Sequence, residues 1–209
     1  MIDVALLGTG GMMPMPERFL SSMLLRINGR LILVDCGEGT QVTLKMLGWG
    51  FKAIDTICFT HYHADHISGL PGMLLTIGNS GRTEPVKLIG PPGLKKVVEG
   101  LRLIFPELPF KLEYIEIDNV DCVIDFNDFS LKANEGDHRI KCLSYRFDIS
   151  RKGKFSVEKA KTLGLPVNMW SILQKGGTAE YNGKIYTSDM VLGNARKGIS
   201  LSFCTDTRP

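Results

Sequence analysis

Apolar residues gather in short runs along the chain, and polar or glycine-containing stretches separate these runs. The runs at 3–10 and 21–37 predict strands, and the second divides at Asn28-Gly29, a pair typical of a two-residue hairpin turn. The run "AIDTICFT" at 53–60 has the length of a strand, and its apolar character suits a strand covered on both faces.

Three stretches of the chain have helical patterns. Residues 38–50 predict a helix that ends at glycine, 68–81 a short helix with a loop, and 86–105 a strand, a turn and a helix with prolines at its start. Further strands are predicted at 111–117, 129–138, 142–149 and 199–207. Because strands outnumber helices in a mixed order, the pattern predicts a sheet-rich α/β or α+β layered fold.

Composition narrows the class of protein only moderately. The 209 residues, 44% hydrophobic and 22% charged, suffice for one or two globular domains with a sizeable core. The N-terminus has no basic segment of a signal peptide, and no apolar run reaches the roughly 18 residues of a membrane span. The five cysteines are widely spaced without a CxxC pair, so we expect buried thiols, a cytoplasmic location and no membrane partner.

Positive charge is concentrated in one segment. Residues 146–197 contain ten Lys or Arg and four Asp or Glu, a net +6, whereas the remainder contains 15 basic and 18 acidic residues, a net −3. The whole basic excess of the protein therefore lies in this segment. It indicates either a binding surface for a polyanion or an ordinary solvated face.

The stretch "FTHYHADHISGLPG" at 59–72 contains three of the four histidines of the chain. A surface turn has no use for three imidazoles, and imidazole is the commonest metal ligand in proteins. His61 and His63 are two positions apart, so an extended backbone points both side chains at one ion. Asp65 and His66 follow where the chain turns, and they are expected to bind a second ion. This donor set suits Zn²⁺, with Mn²⁺ or Fe as alternatives.

Two ions about 3.5–4 Å apart activate a hydroxide for attack on a phosphate ester or a polarised carbonyl. Four ligands do not complete two such sites, so further ligands must come from elsewhere in the chain. His138, the remaining histidine, follows a predicted strand and is a candidate ligand, although an isolated histidine is usually an ordinary surface or core residue. Asp206 ends another predicted strand and is a candidate bridging carboxylate, the alternative being a cap or turn residue.

Taken together, these motifs resemble the ribonuclease Z family of the metallo-β-lactamase superfamily. The segments concerned are "LLGTG" at 6–10, "VDCGEGTQ" at 34–41, "THYHADHISGLPG" at 60–72, "IGPPGL" at 89–94 and "CTDTRP" at 204–209. The HxHxDH motif is typical of the superfamily, and the other segments narrow the resemblance to ribonuclease Z. The family trims the 3′ trailer from tRNA precursors, which implies a hydrolase that acts as an endonuclease on precursor tRNA.

The resemblance implies a role for each candidate residue. His61, His63 and His138 correspond to ligands of a first zinc, Asp65 and His66 to ligands of a second, and Asp206 to the bridging aspartate. Asp65 also corresponds to the catalytic proton acceptor. The implied fold is an αβ/βα sandwich over 1–209, with 150–195 inserted as a tRNA-binding arm that acts across a homodimer. The RNA-binding candidates in the arm are Arg151, Lys152, Lys154, Lys159, Lys161 and Lys175.

Two departures from the family pattern affect these expectations. The arm tip reads "GLPVNMWSILQKGG", where the family is usually rich in glycine and proline. The family sequence also continues for about a further third, with a later histidine ligand and a Glu–His pair. We therefore expect a sandwich truncated at its C-terminus, with little activity from these 209 residues alone. The alternatives are a phosphodiesterase acting on small substrates and a catalytically impaired fragment that binds metal and RNA.

Overall fold

A computed structural model describes residues 2–105, 107–119, 121–127 and 129–208. The chain divides into two compact units: residues up to Phe147 together with those from Ser202 form the first, and Asp148–Leu201 form the second. Within the described residues, no helix is long and apolar enough to cross a membrane.

Six strands form the main sheet of the first unit, in the order in which they occur along the chain. Their bounds are β1 Ile2–Gly8, β2 Ser22–Ile27, β3 Arg30–Val34, β4 Ile54–Cys58, β5 Val86–Gly90 and β6 Leu112–Glu116. The first three strands pair antiparallel, and β3 to β6 pair parallel. Parallel strands need crossover connections, and helices supply them here.

The β2–β3 hairpin turns at the predicted pair. Ile27 pairs with Arg30, and Asn28 and Gly29 have φ angles of 49° and 88°. Both central residues thus lie in the left-handed region that a type I′ turn requires, which asparagine and glycine adopt most readily. The hairpin prediction at 21–37 is confirmed.

Helices cover one face of the main sheet. They are α1 Thr40–Leu47, α2 Ala64–Ile67, α3 Leu70–Asn79 and α4 Leu94–Arg102. Leu44 of α1, Leu74 of α3 and Val98 of α4 share one buried cluster with Leu33 and Ile57 of the sheet. The three predicted helices are present, each with bounds shorter than the sequence pattern suggested.

A second sheet has the strand order β12-β9-β8-β7. Its strands are β7 Val123–Asp125, β8 Ser130–Gly136, β9 Cys142–Arg151 and β12 Arg196–Phe203. The main sheet contacts this second sheet within the first unit, because the Tyr145 hydroxyl donates to the Phe59 carbonyl at 2.6 Å and the Leu143 amide donates to the Thr60 carbonyl at 2.8 Å. The mixed, layered arrangement agrees with the predicted fold class.

The second unit has its own small core. Its elements are α5 Val157–Thr162, α6 Val167–Gln174, β10 Thr178–Tyr181, β11 Lys184–Thr187 and α7 Ser188–Val191. Ala160, Leu173, Ala179 and Val191 are buried together, and Trp170 packs against them. The sequence pattern predicted none of these five elements, because the apolar positions of this segment follow neither a helical nor a strand period for long enough.

Candidate metal centre

The HxHxDH residues follow the buried strand β4. His63 has extended backbone angles and lies immediately before α2, so the backbone changes from extended to helical between His63 and His66. His61 is fully buried, His63 is half-buried, and His66 lies buried in the short helix. A strand end followed by a tight helical turn therefore concentrates three imidazoles and Asp65 in one place.

Three imidazoles converge on a single point. The Nε2 atom of His61 lies 2.9 Å from Nδ1 of His63, which in turn lies 3.2 Å from Nε2 of His138. Nitrogen ligands about 2.0–2.1 Å from a tetrahedral zinc lie roughly 3.3 Å from one another, so this spacing fits one ion. With Asp206 included, one ligand atom from each of the four residues lies within 4.8 Å of every other.

His66 shows the hydrogen bonding of a second ligand. Its Nδ1 atom donates to the Oδ2 atom of Asp35 at 2.8 Å, which fixes the tautomer and leaves Nε2 as the free nitrogen. That Nε2 atom is buried and has no hydrogen-bond partner within the described residues. It lies 3.6 Å from Oδ2 of Asp206 and 3.8 Å from Oδ2 of Asp65. A buried, unpaired nitrogen between two carboxylates is costly unless a metal ion or a proton occupies the space between them.

Asp65 lies at the edge of the cluster, outside the group of four. Its Oδ2 atom accepts a hydrogen bond from the Met12 amide at 3.2 Å. Met12 lies in the loop between β1 and β2, and this loop is closed at its base because the amides of Thr9 and Gly10 both donate to the Phe19 carbonyl. A backbone amide thus helps to orient Asp65.

Asp35 holds His66 in place, and the sequence interpretation did not single it out. Its carboxylate is fully buried and accepts three hydrogen bonds of 2.8 Å, from the Thr60 amide, the Thr60 hydroxyl and Nδ1 of His66. It also has a positive φ of 57°, which is strained for a residue other than glycine. A signal was present in the sequence: "LILVD" places a charged residue directly after four apolar residues.

The local electrostatics favour neutral imidazole at His61. Burial, and then the neighbouring His66 and His63, lower the pKa of His61 to about 4. At His66, burial acts to lower the pKa, but the hydrogen bond and charge of Asp35 outweigh it, so the pKa is raised. Burial raises the pKa of Asp35, and its bonds from His66 and Thr60 oppose the rise.

A cavity of about 330 Å³ is lined by the candidate ligands His138 and Asp206, and Arg139 and Arg208 also line it. Two hydrogen bonds join its walls: the Asp137 amide donates to the Thr207 hydroxyl at 2.9 Å, and the Arg208 amide donates to the Asp137 carbonyl at 3.0 Å. The sequence interpretation did not include either arginine. Two guanidinium groups and the carboxylates of Asp137 and Asp206 thus line the cavity beside the candidate metal ligands.

All six predicted RNA-binding residues lie in the second unit and are exposed. One of them has an additional structural contact, because the Lys159 ammonium donates to the Leu192 carbonyl at 2.6 Å. The six residues are Arg151, Lys152, Lys154, Lys159, Lys161 and Lys175.

The layered fold and the His/Asp cluster together define a metal-dependent hydrolase of the metallo-β-lactamase superfamily. Human tRNase Z, short form (ELAC1), has the same fold: its crystal structure matches 70% of this chain and 64% of its own, with a TM-score of 0.61 and 32% identity. A long form RNase Z from yeast matches 71% of this chain and 27% of its own with a TM-score of 0.58, and its 18% identity shows the fold alone.

Sequence relatives define the family. Proteins named Ribonuclease Z from Agathobacter rectalis and Lachnospira eligens are 53% and 54% identical over 209 residues, covering the whole of this chain and 69% of each relative. The family model described as Anti-Pycsar protein Apyc1 matches residues 2–104. The chain belongs to the ribonuclease Z family of metal-dependent endoribonucleases. The resemblance inferred from the motifs is confirmed, and the His/Asp cluster is suited to a divalent metal ion.

Proposed function

We propose that the chain acts as a zinc-dependent endoribonuclease that removes the 3′ trailer from tRNA precursors. The observation that carries this proposal is the convergence of His61, His63, His138 and Asp206 within 4.8 Å in a member of the ribonuclease Z family. Nitrogen-rich, tetrahedral sites with a carboxylate favour Zn²⁺ over Mg²⁺ or Ca²⁺, which prefer oxygen ligands.

Six residues would hold two ions. His61, His63 and His138 would bind one, Asp65 and His66 the other, and Asp206 would bridge them. The orphaned Nε2 atom of His66 supports the second position, because Asp35 occupies its other nitrogen. Bound zinc would supply a Lewis acid and lower the pKa of water towards about 7.

The protein's own groups would position the RNA and move the proton. Arg139 and Arg208 line the cavity beside the ligands, and their guanidinium groups would bind the phosphates of the RNA at the cleavage position. The Asp65 carboxylate would accept the proton of the attacking water. Its bond from the Met12 amide, at 3.2 Å, holds the carboxylate at the edge of the cluster.

Metal content tests the ligand assignment. Replacing His63 or Asp206 with alanine is expected to reduce bound zinc by about one ion per chain, because a four-coordinate site loses one of its ligands. Elemental analysis of purified variants beside the unchanged chain measures this. Asp118→Ala is the matched control, since Asp118 is an exposed carboxylate paired with Lys141 at 2.9 Å. Zinc content that stays at the unchanged level in His63→Ala would contradict the assignment.

Charge on the second unit would supply sequence-independent affinity for tRNA. The triple replacement of Lys152, Lys154 and Lys161 with alanine is expected to weaken tRNA binding and to reduce the slope of log affinity against log salt by about 2–3. The physical reason is that each lysine bound to a phosphate releases a counterion.

The matched control is a triple alanine variant of Lys45, Lys96 and Lys111, which removes the same charge from the first unit. Turnover of a small chromogenic phosphodiester should be equal in both variants. If both triple variants reduce the salt slope equally, the second unit has no special role as a tRNA-binding arm. If the lysine change in the second unit also abolishes turnover of the small diester, the loss is structural.

We also propose that the arm 150–195 acts across a homodimer in the cytoplasm. The family resemblance supports the dimer, and the cytoplasmic location agrees with five cysteines that form no disulfide. Sedimentation measurements across a range of concentrations would establish the oligomeric state.

A further inference from the structure

A second cavity lies entirely within the second unit and shares no residue with the metal centre. Its volume is about 590 Å³, which falls in the range of roughly 300–1,000 Å³ that is typical of small-molecule sites. The residues that matter for its chemistry are Lys154, Phe155, Trp170, Gln174 and Arg196.

One side of this cavity is aromatic. The rings of Phe155 and Trp170 lie 5.7 Å apart between centroids, inclined at 41°, so they form one continuous wall. The Trp170 Nε1 atom donates to the Leu165 carbonyl at 2.9 Å. Because its polar edge is satisfied, the indole offers only its apolar face to a ligand.

The backbone beneath the cavity is closely paired. Phe155 forms a β-bridge with Leu192, and the Gly193 amide donates to the Lys154 carbonyl at 2.8 Å. A Cβ atom on Gly153 would lie 1.9 Å from the Gly193 carbonyl oxygen, so the two segments approach more closely than side chains allow. The cavity is therefore built on a fixed backbone and does not depend on a single mobile loop.

The polar groups of the cavity are cationic or neutral. The Arg196 Nε atom donates to the Lys152 carbonyl at 2.9 Å, which orients the guanidinium. Within the described part of the chain, the Lys154 ammonium and the Gln174 amide form no hydrogen bond or ion pair. Among the described residues that line the cavity, none has a carboxylate side chain. The second unit as a whole has nine basic and four acidic residues, a net +5.

The geometry points to a nucleotide-binding pocket in the second unit. A nucleobase stacks on the Phe155–Trp170 wall, its phosphate binds Lys154 and Arg196, and Gln174 contacts the edge of the base or the ribose. Aromatic faces accept any base, and adjacent cations pair with the backbone phosphate. The assignment rests on the proposed function, because it takes the ligand to be one unpaired nucleotide of the RNA substrate. A free mononucleotide has the same chemistry, and the experiment separates the two.

Intrinsic fluorescence provides a direct readout, because the chain has only two tryptophans. In Trp49→Phe, Trp170 is the single reporter. With EDTA present to exclude metal-dependent binding, adenosine 5′-monophosphate and a short single-stranded oligoribonucleotide should both change its emission saturably. Ribose 5-phosphate and inorganic phosphate should not, because they have no base to stack.

Gln174→Glu, made in the Trp49→Phe protein, tests whether the ligand binds in this cavity. A carboxylate inside the cavity should repel the anionic ligand and compete for Lys154 and Arg196, so oligonucleotide affinity should weaken about tenfold or more. Asn182→Asp is the matched control: it makes the same amide-to-carboxylate change in the β10–β11 turn, outside the cavity lining. It should change affinity by less than about twofold, as expected for a distant, screened charge.

RNA binding without a change in Trp170 emission would overturn the pocket, as would equal weakening by Gln174→Glu and Asn182→Asp. A response to the mononucleotide but not to the oligonucleotide would overturn the assignment to RNA. Zinc-loaded protein that shows no detectable cleavage of precursor tRNA in single-turnover conditions while the emission change persists would refute the proposed function and leave the pocket standing.

Discussion

Replacing Asp65 with alanine is expected to lower the turnover of precursor tRNA by about 10²–10⁴-fold, the usual contribution of general acid–base catalysis. The Asp65 carboxylate is 3.8 Å from the orphaned Nε2 atom of His66, so the change removes a group that would both bind metal and accept a proton. RNA affinity should change little, because the phosphates of the RNA are bound elsewhere. Single-turnover kinetics at saturating RNA measure the effect separately from binding.

Asp65→Asn separates the two roles of this residue. The amide keeps the shape and an acceptor for the Met12 amide, but it is a poor proton acceptor. Its turnover should fall nearly as far as that of Asp65→Ala while the fold is unchanged. Asp118→Ala, an exposed carboxylate change, should leave turnover intact. A variant that binds RNA weakly but turns over normally at saturation would show that Asp65 is not the proton acceptor.

The second large effect is expected in the stability of the protein. Asp35→Ala should lower the free energy of unfolding by about 3–5 kcal/mol, because it leaves the two Thr60 donors and Nδ1 of His66 buried without an acceptor. Removing the carboxylate also removes its desolvation cost, but three orphaned donors outweigh that gain. Alanine at a φ of 57° adds strain. Urea denaturation of metal-free protein measures the change.

Asp3→Ala is the control for this stability prediction. Asp3 pairs with Arg26 at 2.9 Å on the surface, and exposed pairs of this kind contribute about 0–1 kcal/mol. Zinc content should also fall in Asp35→Ala, since His66 loses the partner that fixes its tautomer. Equal destabilisation by the two alanine variants would mean that the buried hydrogen-bond network contributes no more than a surface ion pair.

The sequence alone predicted those features of the structure that depend only on residues close together along the chain. The Asn28-Gly29 turn depends only on two consecutive positive φ angles, so the hairpin at 21–37 was predictable. His61 and His63 were predictable as neighbours because alternate residues of an extended segment project to the same side. The family was also predictable, because its motifs are short contiguous segments that keep their residues.

The rest of the candidate site depends on contacts between residues that are far apart along the chain. His138 lies 75 positions from His63 along the chain, and no periodicity indicates that their nitrogens are 3.2 Å apart. Only the folded chain places Asp35 under His66, because that contact depends on the register of β3 against β4 and on the first turn of α2. The same holds for Arg139 and Arg208, which meet at one cavity because two separate strands end there.

The second unit shows this contrast most clearly. From the amino acids alone, its excess of positive charge was evident, since net charge is a sum that needs no structure. Its helices, its small core and the cavity walled by Phe155 and Trp170 were not, because short elements with few apolar positions carry little periodic signal. Such elements are stabilised by packing against one another, and packing partners are assigned only when the chain has folded.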